Sequence, residues 1–212
     1  MPKNKKEKDK FIYALDPSYT RTGICIINLS KKEIYFEAVG HKIGEKQFEN
    51  IVHAAQSIVQ QLKDVFAKYT DDYILIHEQP LPCSSMSPAL YALDALIYNA
   101  FEPHIVQTYN PATLKSQIHG HKYDKKDSVN LATKYLEILF KSGYKILSVF
   151  GTNKKIPHDC CEAFLYIQLY LHTNGETDFQ FDNSDEKQAY KDRMKELKRR
   201  EKLLLSDKQN GD

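Results

Sequence analysis

Four carboxylates stand where a folded chain can put them to chemical use: Asp16, Glu78, Asp159 and Glu162. Asp16 ends the apolar run FIYALD, and Glu78 ends YILIHE. A buried strand has no use for an unpaired carboxylate, because taking a charge out of water is expensive. A compensating partner is expected at each, and a divalent metal is one good candidate. Asp159 and Glu162 are spaced i, i+3 at the start of an apolar helical pattern, so both project from one face near the positive end of the helix dipole. If the two strands are sheet neighbours, Asp16 and Glu78 leave the sheet at the same edge. Gathered together, the four would form an oxygen-rich cage suited to two Mg²⁺ ions. Two such ions about 4 Å apart clamp the attacking and leaving oxygens of a phosphodiester. Each acid also has a local reading. Asp16 can cap the turn 17–20, Glu78 can be a solvated strand end, and Asp159 with Glu162 can serve the helix start. The weight lies in the joint placement within one β-rich order.

The elements that must position these acids are legible from periodicity. Residues 11–15 and 22–29 read as strands separated by the turn 16–21, and 33–39 alternates as a half-exposed strand. Apolar positions from Phe48 to Phe66 recur at helical spacing, giving a helix over about 45–69. Strand 73–77 follows, then a helix over 86–100, strand 104–108, a short helix from Asn110-Pro111 to 118, and a helix from 124 or 125 to about 140. Residues 142–155 read as a loop, and 159–171 as a helix. The order β-β-β-α-β-α-β-α-α-α predicts one mixed five-stranded sheet, three antiparallel strands then two parallel, with helices on its faces. Helix 86–100 is apolar over much of its surface, which fits either a dimer interface or full burial.

The chain has 212 residues, 42% of them hydrophobic, enough for one sizeable core. Domain boundaries are expected at a basic arm over 1–10, a folded domain over 11–172, and a charged, partly helical extension over 173–212. No apolar run is long enough to span a bilayer, and the basic N-terminus lacks the pattern of a secretory signal. Cys25, Cys83, Cys160 and Cys161 have no CxxC spacing and read as reduced thiols of a cytosolic protein. The net charge is only +2, but basic clusters in 1–10, 110–126 and 187–202 suit a polyanion.

Four segments together resemble the RuvC-type Holliday-junction resolvases of the RNase H-like superfamily. IYALDPSYTRTGICII is similar to that family's opening strand pair, and ILIHEQP to its second acidic motif. NPATLKSQIHGHKYDKKDSVNLA is similar to its lysine-bearing segment, and HDCCEAFLYIQLY to its closing acidic helix. The match runs in order over about residues 11–172 and points to a phage-type or divergent member. It implies an RNase H-like α/β fold, with Asp16, Glu78, Asp159 and Glu162 as ligands of two Mg²⁺ ions that Mn²⁺ can replace. It implies catalytic and DNA-contacting roles for Lys115 and Lys126, with Lys125 an adjacent candidate and Lys122 a further DNA contact. Leu81 falls where bacterial members carry an aromatic that wedges into the junction. The activity implied is paired symmetric nicking of four-way DNA, leaving 5′-phosphate and 3′-hydroxyl ends. The enzyme would act as a homodimer through helix 86–100, in a bacterial or phage-infected host cytoplasm. Glu162 stands where Asp is usual, and Ser18 and Tyr19 where Gly is common. Two other readings share the same residues: a superfamily nuclease for flap, branched or RNA–DNA hybrid substrates, and a non-catalytic DNA-binding module.

Overall fold

Strand β1 (Phe11–Asp16) has all six residues buried, and β2 (Thr22–Asn28) all seven, which is what continuous apolar runs in the middle of a sheet require. Strand β3 (Glu33–Val39) alternates between buried and half-buried positions. These three form an antiparallel meander, with Asp16 opposite Gly23 and Thr22 opposite Val39. Strand β4 (Tyr73–Glu78) adds parallel to β1, and β5 (Ile105–Tyr109) parallel to β4. The computed structural model describes residues 9–41, 51–79, 88–114, 125–148, 150 and 155–176.

The described helices are α1 (Ile51–Phe66), α2 (Pro88–Phe101), the single turn α3 (Pro111–Leu114), α4 (Lys125–Lys141) and α5 (His158–Thr173). A 3₁₀ turn, Glu102–His104, joins α2 to β5. Asn110 opens α3 as expected, its side-chain oxygen accepting from the Thr113 N–H at 2.9 Å.

One expectation is corrected. The sheet has six strands, in the order β5-β4-β1-β2-β3-β6, because β6 (Lys145–Ser148) pairs parallel with β3 inside the segment read as a loop. Its sequence, KILS, is too short to show alternation. Ile146 is the residue that packs onto the core, while Leu147 is 41% exposed on the sheet's outer edge.

Two hydrophobic layers sandwich the sheet. Ile12, Ala14, Cys25, Ile27, Ile34, Phe36 and Ile76 face α4 and α5. Phe11, Tyr13, Leu15, Ile24, Ile26 and Leu75 face α1 and α2. The two-residue period of a strand then dictates the rest. Asp16 continues the Ile12, Ala14 series and Glu78 the Ile74, Ile76 series, so both belong to the α5 face. Helix α5 crosses β2, β1 and β4 and is covered by α4. Ten of its sixteen residues are buried, which accounts for its being apolar nearly all round.

Helix α2 is not fully buried. Leu93, Ile97 and Phe101 face inward, while Tyr91 and Tyr98 are exposed. No described helix is long and apolar enough to cross a membrane.

Candidate metal centre

Asp16 lies one step beyond the Leu15–His77 pair of the parallel β1–β4 ladder, level with Glu78. Across the other ladder it faces Gly23. A Cβ at Gly23 would lie 2.2 Å from the Asp159 carbonyl carbon and 2.5 Å from the Cys160 nitrogen. The bare glycine backbone therefore lets the first turn of α5 rest directly on β2, beside Asp16. The Cys160 thiol, 3.1 Å from the Glu37 carbonyl oxygen, holds the same turn against β3.

The acids meet there in two overlapping groups. Asp16, Glu78 and Glu162 form one; Asp16, His158 and Asp159 form the other. Within each, one potential ligand atom per residue lies within 4.8 Å of the others. Asp16 is common to both.

Neighbouring groups decide between these clusters and the local readings. The turn after Asp16 is closed by Thr22, whose hydroxyl donates to the Ser18 carbonyl at 2.8 Å and accepts from the Ser18 N–H at 3.1 Å. The N-cap of α5 is Pro157, with no side-chain cap, so Asp159 does not cap the helix. The Asp159 carboxylate instead accepts from Arg21 Nε at 2.6 Å on one oxygen and lies 3.2 Å from His158 Nδ1 on the other. Glu78 is no free strand end, because the Tyr166 hydroxyl donates to it from α5. Ser128 of α4, fully buried, donates to Glu162 at 3.0 Å.

The electrostatics are those of a site short of positive charge. Burial, then repulsion from Glu78, Glu162 and Asp159, holds the Asp16 carboxyl well above the usual carboxylate range. Burial and the nearby Glu78 charge push the Tyr166 hydroxyl up as well. At Asp159 burial acts upward, but His158 and Arg21 outweigh it and bring the carboxyl down. Burial works against charging His158, yet Asp159 and Glu162 raise its imidazole to about 9. His158 Nε2 lies 3.3 Å from a Glu162 oxygen without hydrogen-bond geometry, so it is a buried nitrogen with no hydrogen-bond partner among the described residues. Carboxylate oxygens supplemented by one imidazole, around a shared and strongly destabilised Asp16, fit divalent cations.

Of the residues singled out in the sequence, Asp16, Glu78, Asp159 and Glu162 are brought together. Lys125 and Lys126 stand exposed in the first turn of α4. Leu81, Lys115 and Lys122 lie outside the described residues. Sequence reasoning missed Arg21, Ser128, His158 and Tyr166. For Tyr166 a signal existed, because it stands four residues after Glu162 on the same helix face. Ser128 and Arg21 carry no local signature; only tertiary packing brings them to the acids.

No protein-family model matches the sequence, and neither does any curated protein. The structure is similar to that of Thermus thermophilus RuvC, with a TM-score of 0.51 and 15% identity over 77% of this chain and 96% of that one. A structure of T. thermophilus RuvC in complex with Holliday junction substrate aligns with a TM-score of 0.50 and 14% identity, over the same shares of each chain. The fold is therefore RNase H-like, of the RuvC type.

Proposed function

We propose that this chain is a divalent-metal-dependent DNA endonuclease that resolves four-way junctions by paired nicks. The observation that carries this reading is the pair of donor groups sharing Asp16, built on a RuvC-like sheet. Asp16, Glu78 and Glu162 would hold one ion, and Asp16, Asp159 and His158 the other, with Mg²⁺ and Mn²⁺ the expected metals. When bound, such a pair of ions supplies Lewis-acid activation of water and neutralises charge on the departing oxygen. The net reaction adds water across one P–O3′ bond, leaving a 5′-phosphate and a 3′-hydroxyl.

The chain's own residues do the positioning. Tyr166 fixes the Glu78 carboxylate and Ser128 fixes that of Glu162, so neither swings freely. Because Ser128 reaches the cluster from α4, the residue one turn earlier on that face, Lys125, is better directed at the site than Lys126. Lys125 would then contact a backbone phosphate beside the cut, with Lys126, Lys115 and Lys122 extending the basic track and Leu81 meeting the junction.

Paired nicking needs two sites. Helix α2 offers the exposed Tyr91 and Tyr98 for a second copy of the chain. It is tied to β4 by His77, whose Nε2 lies 2.6 Å from the Asp94 carboxylate. The interface would thus rest on the strand that carries Glu78.

The test is nucleotide-resolution mapping of products from a labelled four-way junction, a Y-fork and an RNA–DNA hybrid at equal concentration. Symmetric nicks confined to the junction support the proposal. Equal cutting of the fork or hybrid would reassign the chain to a broader nuclease. No product with either Mg²⁺ or Mn²⁺ would leave a DNA-binding module.

A further inference from the structure

Arg21 lies in the β1–β2 turn, five residues after Asp16 and two before Gly23, and its side chain is half exposed. Its 2.6 Å bond to Asp159 comes from Nε, one of five N–H donors on the guanidinium fork. The other Asp159 oxygen lies against His158. Asp159 therefore has both oxygens engaged by cationic neighbours, although it belongs to one of the two donor groups. A cation entering that group competes with both of them for the carboxylate. Arg21 is the more exposed of the two, with 50% of its side-chain surface open against 15% for His158. The same centre poses a second difficulty, since four clustered carboxylates repel the phosphates of an approaching strand. A guanidinium released at the rim of the cluster answers it, because its planar fork matches phosphate oxygens in pairs.

We propose that Arg21 is an exchangeable cation. In the metal-free protein it neutralises Asp159; once a divalent ion takes Asp159, it turns to a backbone phosphate of the bound strand. Arg21 then acts as a substrate-positioning residue whose availability reports metal loading. The inference rests on the nuclease reading, and it makes two predictions of opposite sign for one substitution.

The experiment compares wild type with R21A, R21Q and R21K. Mn²⁺ binding is measured by calorimetry without DNA. Binding of a labelled four-way junction is measured in Ca²⁺ over a range of salt concentrations. Removing the competing ion pair should tighten Mn²⁺ binding by R21A and R21Q about fivefold, the scale of a partly exposed ion pair. The same variants should bind the junction about tenfold more weakly, as for loss of one charge-assisted phosphate contact. Their log–log salt slope should fall by about one. R21K should lie between, since an ammonium keeps the charge and loses the fork. Thermal melting of each variant establishes that it is folded, and R21Q and R21K serve if R21A is not. Mn²⁺ affinity that is unchanged or weaker in the folded variants overturns the exchange, and unchanged junction affinity overturns the phosphate contact. A wild-type chain that binds neither Mn²⁺ nor DNA overturns the nuclease reading as well, a result distinct from variants that merely match a competent wild type.

Discussion

Asp16 and Gly23 face each other across the β1–β2 ladder, and the backbone of Asp159 occupies the space where Gly23 would carry a side chain. The glycine is what lets a strand acid and a helix acid meet in one donor group.

Gly23→Ala is accordingly expected to be severe. The added methyl would meet backbone atoms of α5, which cannot rotate away. A loss of about 3 kcal/mol, the upper end for overpacking, is expected in urea denaturation. Any folded fraction should show weakened Mn²⁺ binding, because α5 must move to admit the methyl. A variant with wild-type stability and metal affinity would disprove the close approach.

Asp16→Asn should separate stability from function. Asp16 is buried among three other acids, so its charge opposes folding while no metal is bound. The substitution should stabilise the metal-free protein by about 1–2 kcal/mol, as other relieved functional sites do. It should also abolish the rise in melting temperature on adding Mg²⁺ or Mn²⁺, and abolish cleavage while junction binding persists. A lower melting temperature for the metal-free variant would contradict the strain assigned to this carboxylate.

The pH dependence has a definite sign. The folded Asp16 carboxyl titrates above its unfolded value, so its favourable contribution is complete below the ordinary carboxylate range, near pH 4. That contribution disappears as pH rises through the elevated folded value. The stability difference between Asp16→Asn and wild type should therefore be small at pH 4 and grow toward neutrality in chelator. Metal binding should release protons, visible as a buffer-dependent heat in calorimetry. A difference independent of pH would rule this out.

Tyr166→Phe removes the hydroxyl that fixes Glu78 and leaves the ring stacked on Tyr109, 6.0 Å between centroids. The fold should survive, while Mn²⁺ affinity falls about 10- to 100-fold, the usual effect of losing an outer-shell partner. Ser128→Ala should act in the same direction through Glu162. Unaltered affinity in both would mean that the two carboxylates need no orientation.

Tyr98→Glu places a charge on the exposed face of α2, away from the acids. It should convert a dimer to a monomer in sedimentation analysis and uncouple the two nicks, with metal binding unchanged. A wild-type chain that sediments as a monomer on junction DNA would remove α2 from the interface.

The acids and their strands were legible because each signal is local. An apolar run ending in a carboxylate, and a helix opening on two acids, need only neighbours in sequence to be seen. The two-residue period further places Asp16 and Glu78 on one side of the sheet. β6 was not legible, since four residues at an edge, with Ile146 packed on the core and Leu147 exposed, make no pattern. Arg21 and Ser128 were missed for a different reason. Their roles come from contacts across 138 residues for Arg21 and Asp159, and 34 for Ser128 and Glu162, and no periodicity reports such contacts. Helix α2 was legible in its apolarity, and the helical spacing that turns Leu93 and Ile97 inward also leaves Tyr91 and Tyr98 outward.

The placement of α5 has a consequence for biosynthesis. Three of the five donor residues, His158, Asp159 and Glu162, reside on this helix, and it is the last described element to leave the ribosome. A nascent chain that has already paired β1, β2, β3 and β4 still holds two isolated carboxylates and no pocket. The two donor groups are therefore completed together, when α5 seats itself against β1, β2 and β4.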